Sequence, residues 1–296
     1  MVAPAFDYVA ADSYEEAVRL LVAVKGEGEV GGDAKILAGG QSLMPMLNLR
    51  LAHPDLLIDI NQADRRAPSV ADGVLRLPAL TRHRVLLEHD LVRRGCPLLA
   101  GAVRHVGNVR VRNRGTIGGS LAHADPTSEI GSCALAAGAR VVVRGPGGDR
   151  TVPAGELFDT YWTTTLAACE VITDVLIPVA RPRQGWSFQE MVRRTSDFAI
   201  VAVAALVELD ERAEIITAAR VALAGVADRV TLADQDLLAG LACADADFDA
   251  AGRAIADRLE PGTDVHASGE YRRRLVRVLV ARALRQACAR ATGAAA

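Results

Sequence analysis

Residues 112–126 read Arg112-Asn113-Arg114-Gly115-Thr116-Ile117-Gly118-Gly119-Ser120-Leu121-Ala122-His123-Ala124-Asp125-Pro126. A basic approach runs into Gly118-Gly119, which reads as a turn, and Asp125-Pro126 reads as a helix start. A second stretch of this kind, Ala38-Gly39-Gly40-Gln41-Ser42, lies upstream at the end of a short apolar strand over residues 35–38. Glycine lets backbone N–H groups converge on an anion with no Cβ in the way. Each glycine pair is followed by a hydroxyl residue, Ser42 or Ser120, and leads towards a helix start whose dipole favours negative charge. Alone, either stretch is equally an ordinary turn. Together they suggest two pieces of backbone closing on one elongated, phosphate-bearing ligand. Neither fits Gly-x-Gly-x-x-Gly or the Walker pattern, which disfavours a Rossmann site and a P-loop.

Outward from these stretches, Ser13 and Glu16 form a capping box ahead of a helix with Ala17, Leu20, Leu21 and Val24 on one face. Gly26, Gly28, Gly31 and Gly32 end it. A helical turn is expected at residues 43–47, strands at 55–60 and 74–80, and a helix at 82–94 capped by Thr81. Pro97 opens another helix reaching about Val106. Asp125 and Pro126 would start a helix over 127–137. Strands at 139–144 and 150–153 flank a Gly145–Gly148 turn as a hairpin, and another strand spans 169–178. Residues 179–184 are rich in Pro and Arg, and a domain boundary belongs there. Beyond it come three strands at 187–194, 198–209 and 214–224. The middle one is so apolar that periodicity alone also allows a buried helix. Helices follow at 231–239, 248–259 and 270–291.

The 296 residues suffice for two domains with a sizeable core. With 34 basic and 36 acidic residues, nothing points to nucleic acid or a membrane surface. No apolar run is long enough for a membrane span. The start shows no signal-peptide pattern. The five cysteines are scattered, with no Cys-x-x-Cys pair, so free thiols are expected rather than disulfides, zinc or an iron–sulfur cluster. This places the chain in the cytoplasm.

Other residue groups carry competing readings. Ser42 lacks the second glycine of a nucleophile elbow, which argues against a hydrolase. His123, Asp125 and Glu129 cluster, but Asp125 already has a capping role and no further ligand is spaced for a metal. Glu129 either favours a helix dipole or accepts a ligand hydroxyl. Residues 193–198 are a polar strand end, or else Phe198 presents its ring to a planar ligand.

The chain resembles the FAD-binding medium subunits of molybdenum hydroxylases, the aerobic carbon monoxide dehydrogenase and xanthine dehydrogenase family. The matching residues are Ala38 to Leu51, Asp59-Ile60, Val111 to Ser120, Ala124-Asp125-Pro126, Arg193 to Ala199 and Ser268 to Arg272. The resemblance covers nearly the whole chain. It implies an α+β fold: an FAD-binding domain of the p-cresol methylhydroxylase type in two lobes over residues 1–179, then a smaller domain over 185–291 with a three-stranded antiparallel sheet and helices.

Carried over position by position, Leu37, Ala38, Gly39, Gly40, Gln41, Ser42 and Leu43 form a first FAD loop. Thr116, Ile117, Gly118, Gly119 and Ser120 form a second, both around the pyrophosphate. Glu129 reaches the ribityl or ribose region, Ile172 and Phe198 lie beside the flavin, and Val106 and Gly107 lie near the cofactor. Ser120 departs from the Asn or Asp of many members. Gln189 departs from the Lys of animal xanthine dehydrogenases and is no flavin ligand.

The implied activity is oxidoreductase electron transfer. Electrons pass from 2Fe-2S clusters of a small partner subunit through FAD to an external acceptor, while a large partner subunit carries the molybdenum cofactor. A dimer of heterotrimers is implied, with no catalytic acid, base or nucleophile and no metal in this chain. The alternatives are a stand-alone flavoenzyme of the same superfamily, such as a reductase acting on a nucleotide sugar, and a nucleotide-binding scaffold or sensor.

Overall fold

The computed structural model describes residues 3–25, 32–233, 239–243 and 247–293. The chain opens with β1 (Asp7–Ala10), which the sequence reading did not anticipate, then α1 (Tyr14–Lys25), β2 (Ala34–Leu37), α2 (Leu43–Asn48) and β3 (Leu56–Asp59). The three strands form a parallel sheet in the order β1-β3-β2. Ser13 Oγ accepts from Glu16 N at 3.1 Å, while Glu16 reaches back to Asp12 N at 2.7 Å. Of the glycines expected to end α1, Gly26, Gly28 and Gly31 lie outside the described residues.

A second lobe follows: β4 (Ser69–Ala71), β5 (Val74–Pro78), α3 (His83–Glu88), α4 (Asp90–Gly95), α5 (Pro97–Ala102), α6 (Val109–Arg114), α7 (Ile117–His123) and α8 (Glu129–Ala136). It is completed by β6 (Arg140–Gly145), β7 (Gly148–Pro153), α9 (Ala154–Leu157), β8 (Phe158–Thr160), β9 (Thr163–Thr164) and β10 (Val171–Pro178). Its antiparallel sheet runs β4-β5-β10-β6-β7.

Several expectations need correction here. The helix expected over 82–94 is two short ones. His89 adopts an extended backbone between them and caps α4 with its own ring, accepting from Leu91 N. Arg82, not Thr81, stands at the N-cap of α3. The helix from Pro97 stops at Ala102 rather than near Val106. Gly118 and Gly119 are not a turn but the first turn of α7, capped by Thr116. Asp125 does not start a helix. Its carboxylate folds a local turn by accepting from Thr127 N and Oγ1 at 2.7 and 2.6 Å. The N-cap of α8 is Ser128, which accepts from Gly131 N at 2.9 Å.

The last part comprises β11 (Gln184–Val192), β12 (Ala199–Leu209), β13 (Ile216–Ala224), β14 (Thr231–Leu232), α10 (Phe248–Asp257) and α11 (Gly269–Ala291). The three long strands are antiparallel, and β14 adds a two-residue edge. Residues 231–232 are therefore strand, not helix, and residues 234–238 of that expected helix lie outside the described residues.

The apolar run of β12 is strand because both its faces are covered. Ala202 and Ala204 join the core shared with α8, while Val201, Val203, Ala205 and Val207 join the one under α10 and α11. The small side chains let α8 lie close to the sheet. One continuous core thus runs from the five-stranded sheet through α8 into β12 and β13. Among the described residues no helix is long and apolar enough to cross a membrane.

Candidate cofactor site

The two glycine stretches meet in the structure. Gly39 packs on Arg114-Gly115, where an added Cβ would lie 2.8 Å from Gly115 Cα and run into the Arg114 carbonyl. Gly40 has φ +70°, a region glycine enters without the usual penalty, and it turns the chain from β2 towards α2. The join is locked from outside. Asn61 donates from Nδ2 to Ala38 O at 2.9 Å and to Asp59 Oδ1 at 2.6 Å. Its Oδ1 accepts from Arg82, which also donates to Arg114 O. Segments far apart in sequence are thereby held as one rim.

The amides of the first loop are left open. Within the described chain, the N–H groups of Gly39, Gly40, Gln41, Ser42 and Leu43 make no hydrogen bond; the next, Met44 N, donates to Gly40 O at 3.1 Å. Ser42 Oγ does not cap α2. Consecutive unbonded donors beside the half-buried Arg82 guanidinium make a nest for an anion. A diphosphate fits this donor set, since it brings several acceptor oxygens and negative charge.

The second stretch contributes differently from the sequence reading. Ile117 N donates to Thr81 O at 3.1 Å, Gly118 N to Ala79 O at 2.9 Å, and Ser120 N to Thr116 O at 3.0 Å. Gly119 N donates to Thr116 Oγ1 at 3.1 Å. These amides are committed to the fold. Gly118 serves packing, because a Cβ there would lie 2.6 Å from Ala79 Cβ. A Cβ on Gly119 would crowd Thr116 Oγ1 at 2.8 Å and face Ala38 Cβ at 4.0 Å, so Gly119 keeps space between α7 and the first loop.

Ser120 Oγ lies 3.0 Å from His83 Nε2. His83 is 3% exposed. Burial pushes its pKa down to about 4, helped by the charges of Arg82 and Arg112, so the ring is neutral at pH 7. Burial, followed by the charge of Arg114, also holds the Arg82 pKa below its ordinary value.

α7 has seven residues and carries the chain about 10 Å from the nest. Beyond its far end the chain reaches Glu129, the first residue of α8, while Val106 and Gly107 lie just before α6. Val106 is buried, and the carbonyls of Val106 and Gly107 accept from Arg112 Nη1 at 3.0 and 2.7 Å. The Glu129 carboxyl is raised to about 7, first by burial, then by Glu190 and Asp125, with His105 opposing. His105 Nδ1 lies 2.9 Å from Glu190 Oε1. Phe198, just before β12, is 73% exposed at the end of a turn in which Ser196 has φ +69°. Ile172, by contrast, is 4% exposed and belongs to the main core, so little of it faces any ligand.

The structure therefore brings Ala38 and Gly39 of the first stretch against Gly119 and Arg114-Gly115 of the second, ties Val106 and Gly107 to Arg112 of α6, and sets Glu129 at the start of the helix after α7. The sequence reading missed Asn61, Arg82, His83, His105 and Glu190. Asn61 directly follows the quoted Asp59-Ile60, and an Asn after a strand is a recognisable signal for backbone capping. The partners of the others are distant in sequence, and no local pattern marks them. Among the described residues, no three His, Cys, Asp or Glu side chains are arranged to hold a metal ion.

Comparison with known proteins gives matches over nearly the whole chain. Residues 4–180 match the family described as the FAD binding domain in molybdopterin dehydrogenase, and residues 186–287 match the CO dehydrogenase flavoprotein C-terminal domain. The chain is 37% identical to the 6-hydroxypseudooxynicotine dehydrogenase complex subunit alpha of Paenarthrobacter nicotinovorans, over 97% of this chain and 96% of that one. It is 35% identical to the carbon monoxide dehydrogenase medium chain of Hydrogenophaga pseudoflava, over 98% and 99%. Among solved structures, a carbon monoxide dehydrogenase from H. pseudoflava lacking the Mo-pyranopterin moiety superposes with a TM-score of 0.92, covering 98% of this chain and 99% of that one at 35% identity. Quinoline 2-oxidoreductase from Pseudomonas putida 86 gives 0.91 at 33% identity, over 98% and 99%.

Proposed function

The chain belongs to the FAD-binding medium subunits of the molybdenum hydroxylases, and from that premise we propose that it carries electrons from 2Fe-2S clusters of a small partner subunit, through FAD, to an external acceptor. As an oxidoreductase component it works beside a large partner subunit that holds the molybdenum cofactor. Relatives named as medium chains and complex subunits support this, as does their near-complete overlap with the chain. A dimer of such heterotrimers, in the cytoplasm, is the assembly we propose. Within the chain we assign residues 1–179 to FAD binding and 185–291 to the second domain.

One observation carries the reading: the run of unbonded amides from Gly39 to Leu43, held open by the Asn61–Arg82–Arg114 clasp. When bound, FAD supplies the reversible redox chemistry, and the protein needs only to hold, orient and tune it. Residues 37–43 bind the pyrophosphate by backbone N–H and the Ser42 hydroxyl. Thr116 and Ile117 fix α7 against the loop, Gly118 lets it approach, Gly119 leaves room for the ligand, and Ser120 offers a hydroxyl oriented by neutral His83. Val106, Gly107 and Glu129 flank the ribityl and ring end. Phe198, exposed just before β12, offers its ring to one face of the flavin, and Ile172 belongs to the core of the FAD-binding lobes.

The test is to co-express the full chain with its neighbouring subunits and to measure flavin released on denaturation. About one FAD per chain, held without a covalent bond, is expected. A flavin-free protein refutes the assignment.

A further inference from the structure

The outer side of α11 carries charges that the pyrophosphate nest does not use. α10 packs on α11 so closely that Gly252 has no room for a Cβ against the Arg277 carbonyl. Beside this crossing runs an open groove of about 340 Å³, lined by Asp249 of α10 and by Arg274, Arg277, Val278, Arg282 and Arg285 of α11. Arg274 pairs with Glu270, and Arg285 with Asp249 at 2.5 Å. Among the described residues, Arg277 and Arg282 have neither a carboxylate nor a hydrogen-bond partner. Val278, one turn from both Arg274 and Arg282, is 51% exposed.

These features define the chemistry of an occupant. Four guanidiniums stand against one carboxylate here, although the whole chain carries 34 basic and 36 acidic residues, so the occupant is acidic. From Arg274 to Arg285 the helix rises about 16 Å, more than one small anion bridges, so the carboxylates are spread along a segment. Val278, exposed among the arginines, asks for an apolar side chain between those carboxylates. A nucleic-acid backbone fits worse, because Asp249 and Glu270 would stand against its phosphates.

Position in the fold selects the partner. β12 turns Ala202 and Ala204 to the core shared with α8, and Val201, Val203, Ala205 and Val207 to the core under α10 and α11. The groove therefore lies across the last sheet from the FAD-binding lobes. An iron–sulfur donor has to come close to the flavin, which leaves this far side to the other subunit. We propose that the groove docks an acidic, partly apolar segment of the large partner subunit. This rests on the subunit reading above.

The test uses the full chain co-expressed with its neighbouring subunits and purified as a complex. Phenylglyoxal modification, read by mass spectrometry, should label Arg277 and Arg282 in the separate chain and spare both in the complex. A double variant, Arg277→Glu with Arg282→Glu, should lose the large subunit on dilution at a concentration about tenfold or more above that for wild type. Added salt should loosen the wild-type complex and change the double variant little. Arg273→Glu, which reverses an exposed charge outside the groove, should behave as wild type. If circular dichroism shows the double variant unfolded, labelling of the wild-type complex decides. Equal labelling of Arg277 and Arg282 in chain and complex overturns the proposal. So does a double variant as tight as wild type, or an Arg273→Glu variant as weak as the double one. Equal protection without the large subunit, by the small subunit, a second copy of the chain or added DNA, overturns it too. A chain that assembles with no partner overturns the subunit reading beneath it.

Discussion

Single residues divide the work at the nest more finely than the glycine pattern suggested. The pattern located both stretches, because it depends on local backbone freedom. It did not separate their roles, because two of these are decided by atoms distant in sequence, Gly39 by Arg114 and Gly118 by Ala79, while Gly119 is confined first by nearby Thr116 and only faces Ala38. Arg82→Ala removes donors to Asn61 and Arg114 O and should weaken FAD binding about tenfold or more while the chain stays folded, as read by fluorescence titration with FAD. Gly119→Val fills the gap beside Ala38 and should strip FAD; circular dichroism must show native structure, since the change also crowds Thr116. His83 gives a pH signature. Its folded pKa, about 4, lies below the ordinary value of 6.5. The unfolded state therefore binds more protons between those values, and stability falls as the pH drops through that window. Urea unfolding should show that this residue costs about 2 kcal/mol between pH 7 and pH 5, a loss that His83→Gln does not share.

Elements were legible where one residue type at one offset decides them. The α1 capping box, the Gly145–Gly148 hairpin and the three long strands of the last sheet fall in this class. Errors came where neighbouring residues compete for one task. Asp125-Pro126 and Ser128 are all good helix openers, and Asp125 spends its carboxylate on Thr127, so the cap falls to Ser128. Ser128→Ala should therefore destabilise the chain by about 1 kcal/mol in urea unfolding, against little for Asp125→Asn. The end of α11 shows a similar competition. Arg272 looks like one member of a basic face, yet it is 6% exposed. It donates to Ile200 O, to Gly225 O at 2.8 Å and to Asp264 at 2.6 Å. Arg272→Met leaves these acceptors unpaired and should cost about 3 kcal/mol, whereas exposed Arg273→Met should cost almost nothing.

The whole molecule is tied together across the Pro- and Arg-rich stretch at 179–184. α8 buries every residue from Ile130 to Ala136, and its neighbours include Ala202, Ala204, Ala222 and Ala224 of the last sheet. Such a shared core predicts one unfolding transition, with tryptophan fluorescence and circular dichroism coinciding. A chain cut at 180 should be insoluble rather than an independent FAD-binding unit. Sequence patterns place a boundary where composition changes, but they do not report that alanines on both sides pack together. The clasp that opens the nest has its own consequence for biosynthesis. Ala38, Asn61, Arg82 and Arg114 must all have left the ribosome and found one another before the rim exists. On the FAD reading proposed above, loading should therefore await the meeting of residues 38–61 with residues 82–114, and a chain stopped before Arg114 should have no rim with which to hold a dinucleotide.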